Sequence, residues 1–399
     1  MELNFPSVIQ TQVLIIGGGV TGTALARDLA LRGVDCILVE KDDINAGASG
    51  RNHGLLHSGA RYVAGDASAA MECRAEGDIL KRVAAQTIQD TGGYFVAVQG
   101  DDERYVADFP AYCARSGISA RAVDVALARQ TEPALSERTI AVFEVSDAAI
   151  DPFRLSLESM AQARSLGARL LRRTRVLAFE RDGRRIGAVR VQSQVSGHEL
   201  RIEAVQVVNA AGAWADEFAH LAGAVPLGLV PKRRTAFYIP APDGIAIAGW
   251  PLINDVGEEF YFKPDAGQLF VSPADATPSP AMDAYPDDLD VAIGVDRLER
   301  ATTLTVRRVS NSWAGLRTFA VDGSPVVGAD GTVEGFFWLA AQGGYGIKTS
   351  PSLSRACATL IRHGRLPDDL EKLSLTPSDL SPQRLRDCAV VPTFHTPSY

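Results

Sequence analysis

Three glycines spaced G-x-G-x-x-G, Gly17, Gly19 and Gly22, are followed eighteen residues later by an acid, Glu40. These types at this spacing suit the binding of a dinucleotide. Gly17 permits a tight turn, Gly19 lets backbone amides approach a pyrophosphate, and Gly22 lets a helix pack closely on a strand. Val20 and Thr21 then fall in a helical first turn, where free N–H groups and the positive end of the helix dipole meet a phosphate. Glu40 accepts hydrogen bonds from a ribose 2′-hydroxyl and repels a 2′-phosphate, which disfavours NADP; Lys41 follows it. The elements needed to position these residues are legible around them. Residues 13–16 read as a short buried strand, the Ala/Leu-rich stretch after Gly22 as a helix, and residues 36–39 as a second strand ending at Glu40. Glycine-rich turns alone are common. The complete strand, turn, helix, strand and acid are specific.

Composition fits a globular enzyme. The chain has 399 residues, enough for two joined domains, with 46% hydrophobic and 22% charged residues. A net charge of −8 argues against nucleic acid or an anionic membrane as partner. No run of about 18 uncharged apolar residues exists, so no transmembrane segment is expected. The first twelve residues lack the pattern of a signal peptide. The five cysteines are scattered and never spaced C-x-x-C, which reads as reduced thiols in a cytoplasmic protein with no metal site.

Further along, residues 41–66 form a long Gly/Ser-rich loop holding Ser49, Arg51, Asn52, His53, Gly54, His57 and Tyr62; its length is itself a functional hint. Helices are expected at 67–86 and at 152–166, the latter capped by Asp151 with Pro152 in its first turn. Strands are expected at 94–98, 170–179 and 186–191, and strand–glycine turn–helix units at 204–223 and 335–364. Residues 229–272 alternate with many aromatics, as in an antiparallel sheet, and 273–292 read as a loop running into a helix. Repeated glycine turns returning to one sheet imply an α/β fold: a Rossmann-like domain (1–90, 150–229, 315–385) with an inserted antiparallel-sheet substrate domain (91–149, 230–314) and a tail, 386–399.

These segments resemble the D-amino-acid oxidase superfamily of FAD enzymes, over about residues 11–385. The loop GASGRNHGLLHSGARYV (47–63) resembles the FAD-dependent glycerol-3-phosphate dehydrogenases. The later segments VNAAGAWAD, PKRRTAF, FYFKPDAG, TTLTVRR, WAGLRTFAVDGSPVVG and GFFWLAAQGGYGI resemble the D-arginine dehydrogenases. The resemblance implies a D-amino-acid oxidase-like fold with FAD in the dinucleotide site. Ser49, Arg51 and Asn52 would then line the ribityl chain and ring edge, beside His53 and Gly54. The Val176 backbone would meet the adenine, and Ala211 and Gly212 the phosphate side. The turn Gly343, Gly344, Tyr345, Gly346, continuing through Ile347, would aim a helix N-terminus at the flavin pyrimidine ring, where negative charge develops. Lys348 either adds its charge there or is a solvated first-turn lysine. No cysteine lies where sarcosine oxidases attach flavin, so FAD is expected to be non-covalent; His53 is the alternative anchor.

For substrate, the resemblance implies that Arg317 grips a carboxylate with a planar two-point contact, assisted by Arg234 and Tyr261. Arg233 and Arg234 lie on an alternating strand, so one faces inward, and the resemblance selects Arg234. His57 and Tyr62 complete the set, and Arg61 belongs to the segment where a cation meets a phosphate. Tyr94 stands where the arginine-specific enzymes carry an acid, so a neutral or aromatic substrate is expected over a basic one. Three functions follow. The first is oxidation of the Cα–N bond of a D-amino acid or related amine. The second is a 2-hydroxy-acid or glycerol-3-phosphate dehydrogenase with His57 as base. The third is a catalytically silent FAD-binding protein. The partners implied are a small molecule bearing a carboxylate or phosphate and an electron acceptor such as a quinone. The absence of lysine at 268–270 leans towards a dehydrogenase over an oxidase.

Overall fold

The uninterrupted apolar runs of the sequence become a sheet covered on both faces. In the computed structural model, which describes residues 7–63 and 67–387, the strand Val8–Ile16 pairs in parallel with Cys36–Val39 on one side and Glu199–Asn209 on the other. Arg169–Leu171 extends the sheet beyond Cys36–Val39, and Phe336–Ala340 joins Glu199–Asn209, both in parallel. Val13 and Ile15 pack with the helices Val20–Leu31, Pro152–Ser165 and Gly346–His363, while Leu14 and Ile16 face the other cluster. Asp151 caps its helix as expected, accepting from the Arg154 N–H at 2.9 Å. The expected strands 170–179 and 186–191 form a hairpin, Thr174–Asp182 with Arg185–Ser193, turned at Gly183 with φ +57°.

A second sheet of eight strands carries the substrate face. Its order is Asn311–Phe319, Val230–Pro240, Gln268–Ser272, Tyr261–Asp265, Leu252–Asp255, Gly93–Val98, Thr139–Val145 and Arg121–Val123. It departs from the expected all-antiparallel sheet at one pair, because Leu252–Asp255 runs parallel to Gly93–Val98. The expected domain boundary at 315 also needs correcting. Asn311–Phe319 pairs along its whole length with Val230–Pro240, so the second sheet runs through Phe319. The long loop carries a buried strand, Leu55–Leu56, in a small sheet with Ala148–Ile150 and Ile88–Gln89. It thereby sits between the two larger sheets.

The chain after 385 does not begin as a free tail. Arg386 donates to Asp330 at 2.6 Å and to the Val225 carbonyl at 3.1 Å, and Asp330 also accepts from the Trp338 indole at 2.9 Å. Residues 388–399 lie outside the described residues. Cys36, Cys113 and Cys357 are buried free thiols; the Cys73 and Cys388 side chains lie outside the described part. Among the described residues no helix is long and apolar enough to cross a membrane.

Candidate active site

The first glycine turn leaves no room for side chains. Gly17 has φ +112°, and a Cβ there would lie 2.4 Å from the Ala210 carbonyl oxygen. A Cβ on Gly22 would lie 2.0 Å from the Gly17 carbonyl oxygen. Gly19 ends the loop and starts the helix without capping it by side chain; the Val20 N–H instead donates to the Ser49 hydroxyl at 3.0 Å. Glu40 reaches back to the turn. Its carboxylate accepts from the Gly18 N–H at 2.7 Å and the Asp42 N–H at 2.8 Å. Burial raises its pKa, and these two N–H groups oppose that rise. Gly18, absent from the sequence expectation, is thus the residue that orients the acid.

The turns converge on one cavity of about 720 Å³. Gly17, Gly19, Val20, Thr21, Gly22, Glu40 and Lys41 line one part of it, with Ser49, Arg51, Asn52, His53 and His57 from the long loop. Val176, Ala211, Gly212, Arg317 and every residue from Gly343 to Lys348 line the rest. Gly54 is not among its lining; it stands behind, with φ +61°, where a Cβ would meet the Ile150 carbonyl at 2.9 Å. The second turn is also close-packed, since a Cβ on Gly343 would lie 2.7 Å from the Phe319 ring. The helix Gly346–His363 begins at Tyr345 without a side-chain cap, leaving its first N–H groups directed at the cavity. Tyr345 donates its hydroxyl to the Gly323 carbonyl. A cradle free of Cβ atoms, two helix starts and an acid at a strand end fit FAD.

Two side chains behave otherwise than expected. Lys348 is 2% exposed, so it is no solvated first-turn lysine; its ammonium donates to the His57 carbonyl. Asn52 spends its amide on the loop, donating to the Ser49 carbonyl and accepting from the Gly54 N–H at 2.7 Å.

Beside the cavity the second sheet presents a cluster of cations. Arg234 pairs across strands with Gly315, and Lys232 with Arg317, so Arg234 and Arg317 share one face. Arg233 points the other way and donates to Asp290 at 2.7 Å. Tyr261 lies on the Arg234 face, 2% exposed, edge-on to His53 with ring centroids 5.2 Å apart. Tyr62 stands edge-on to His57 at 5.4 Å and to Tyr345 at 6.1 Å. A Cβ on Gly344 would lie 3.2 Å from the Arg317 guanidinium and 3.6 Å from the Tyr62 hydroxyl, so this turn lies against both. Arg61 joins the cluster and pairs with Glu258 at 2.9 Å.

The electrostatics of this region are dominated by buried positive charge. Burial, then Arg317, lowers the Arg234 pKa to about 10, and its buried Nε and Nη1 have no hydrogen-bond partner among the described residues. Burial pushes the Tyr261 hydroxyl up, yet Arg317 and Arg234 outweigh it and bring its pKa below the usual value. Burial and the neighbouring cations hold His53 and His57 well below ordinary imidazole, led for His53 by Arg317 and for His57 by Lys348. His53 Nδ1 accepts from the Leu55 N–H at 3.0 Å, whereas His57 Nδ1 is buried without a partner among the described residues. Asp147, which no sequence pattern singles out, fixes the segment behind His57 by accepting from the Ser58 N–H at 2.6 Å. Tyr94 is a correction. It lies in the core cluster on the opposite sheet face, its hydroxyl 3.5 Å from Thr131, and so says nothing about the substrate side chain.

A model of the family described as FAD dependent oxidoreductase (DAO) matches residues 12–360. The chain belongs to this family. Within it, the chain is 45% identical over 212 residues to one component of the anaerobic glycerol-3-phosphate dehydrogenase of Escherichia coli, covering 53% of this chain. That match spans only 39% of the relative's length, under half of it. Among solved DAO-like structures, L-proline dehydrogenase from P. horikoshii superposes with a TM-score of 0.76 at 20% identity, over 95% of this chain and 98% of that one. L-alpha-glycerophosphate oxidase from Mycoplasma pneumoniae, with FAD bound, gives 0.76 at 18% identity, over 88% and 95%. These likenesses establish the fold. This DAO-family chain is an FAD-dependent oxidoreductase with a Rossmann-like cofactor domain.

Proposed function

We propose that the chain is a dehydrogenase of a phosphate-bearing alcohol, glycerol 3-phosphate or a related polyol phosphate. The observation that carries this reading is the gathering of Arg61, Arg234 and Arg317 near the buried His57, whose pKa burial and neighbouring cations lower. One carboxylate does not occupy three guanidinium groups, whereas phosphate oxygens can accept from all of them. The glycerol-3-phosphate dehydrogenase relative supports the same side. This favours the alcohol over the amino-acid substrate that the later motifs imply.

The residues divide the work. Arg61, Arg234 and Arg317 would hold the phosphate and orient the carbinol carbon. His57, which lines the cavity, would take the hydroxyl proton, and the incoming dianion would offset the cations that depress its basicity. Bound FAD supplies the two-electron acceptor for the hydride leaving that carbon. Tyr62 and Tyr261 would close the recess to water. Reoxidation by a further acceptor such as a quinone completes the cycle.

One observation favours a second reading. Arg317, Arg234 and Tyr261 share one sheet face, the arrangement implied for a carboxylate by the resemblance to D-arginine dehydrogenases. Anaerobic mixing of the yellow holoenzyme with glycerol 3-phosphate, D-amino acids and 2-hydroxy acids separates the two. Bleaching by the phosphate ester alone is expected, and bleaching by D-amino acids alone would overturn the proposal.

A further inference from the structure

Arg61 and Glu258 are an unequal pair. The arginine side chain is 6% exposed and the glutamate 39% exposed, at 2.9 Å separation. Glu258 sits at the tip of the hairpin between Leu252–Asp255 and Tyr261–Asp265, in a left-handed conformation with φ +60° that a non-glycine residue adopts only when held there. The holding groups are visible. Asp255 strings the turn by accepting from the Glu259 N–H at 3.0 Å, and its carbonyl accepts from the Glu258 N–H at 3.1 Å. The turn has been shaped to deliver one carboxylate to one buried guanidinium.

We infer that Glu258 is a built-in competitor for the substrate's anionic group, holding Arg61 until a dianion displaces it and so setting which anions the site accepts. This rests on the phosphate reading of the site. Leaving the Arg61 guanidinium buried without a counter-charge is costly, so its release from Glu258 favours the arrival of another anion. The glutamate at the turn tip can swing into water, and the arginine cannot. A monoanionic carboxylate that replaced Glu258 would exchange one negative charge for another and gain little. A phosphate dianion brings an additional charge, which also faces Arg234 and Arg317. Selectivity then comes from a penalty imposed on the wrong ligand as much as from contacts with the right one.

The test titrates wild-type and Glu258→Gln holoenzyme with inorganic phosphate and with D-lactate at fixed ionic strength, by calorimetry and flavin absorbance. Glu258→Gln should bind phosphate about tenfold more tightly. Its preference for phosphate over D-lactate should shrink. Glu258→Gly, which also relieves the left-handed conformation, should match it, and Arg61→Met should abolish the gain. Unchanged or weaker phosphate binding in Glu258→Gln overturns the inference. If the variant tightens D-lactate while phosphate binds to neither protein, the competitor stands and the phosphate reading falls.

Discussion

The glycine turn at 17–22 and the arginine cluster beside it both prepare the chain for negative charge, with different atoms. The turn uses backbone N–H groups and a helix start, which are made rigid by folding and carry no net charge. The cluster uses guanidinium groups, Arg234 and Arg317 on strands of a different sheet and Arg61 on the long loop, held in low dielectric with nitrogens unpartnered among the described residues. The first suits a cofactor that stays, because nothing has to be displaced to admit it. The second suits a ligand that comes and goes, because its unsatisfied donors strengthen the ligated state and weaken the free one. An anion site of backbone is set by shape, and one of arginines by electrostatic balance.

Substitutions can break either half separately. The largest effect belongs to the turn. Gly22→Ala puts a Cβ 2.0 Å from the Gly17 carbonyl, so purified protein should carry no flavin absorbance, and a yellow holoenzyme would show that the turn yields. In the cluster, His57→Asn should lower kcat by about 10²–10⁴-fold with the flavin spectrum intact. The wild-type pH profile sharpens the point. Burial and the Lys348 charge lower the His57 pKa, so the basic form persists below the ordinary imidazole value, about 6.5. The acid limb of kcat/KM should therefore fall below that pH, and a midpoint clearly above it would remove His57 from the role of base. Arg317→Lys keeps the charge but loses the planar contact. Flavin reduction should slow by about a hundredfold, nearly as much as in Arg317→Ala, with FAD retained. Wild-type reduction by Arg317→Lys would move the anion grip to Arg61. The smallest effect is Glu40→Ala, expected to weaken FAD binding by about 1.5–3 kcal/mol, as measured by dialysis and flavin titration. Undiminished occupancy would mean that Glu40 serves Gly18 alone.

Legibility followed the same division. The cofactor half is encoded by neighbours in the chain, so spacing alone locates Gly17, Gly22 and Glu40, and the structure adds chiefly the Gly18 N–H that orients the acid. The cluster is assembled from residues between 53 and 348, and only strand alternation connects them in sequence. Alternation separates Arg233 from Arg234, because neighbouring residues face opposite ways, and the family resemblance chooses which of them turns inward. It does not settle Tyr94, because which face of Gly93–Val98 meets the core depends on strands far away in the chain. Lys348 was ambiguous because a helix start does not reveal where a long side chain ends. Asp147 and Glu258 left no local pattern. Their significance comes from what a distant segment brings against them, the Ser58 amide and the Arg61 guanidinium.

The arginine pair on Val230–Pro240 also marks the register of that strand. Arg233 meets Asp290 of the helix Asp288–Ala301, while Arg234 lies on the opposite face with Arg317 and Tyr261. A strand that slipped by one residue would exchange the two faces. Arg233 would lose its acid, and Arg234 would be carried towards the helix. A misregistered sheet would also carry Phe237 out of the apolar cluster it fills and turn Ala236 or Tyr238 into its place. Adjacent like charges with unlike destinations thus act as a proofreading mark on the strand, so that a single-residue deletion in 230–240 should abolish folding where a loop deletion would not.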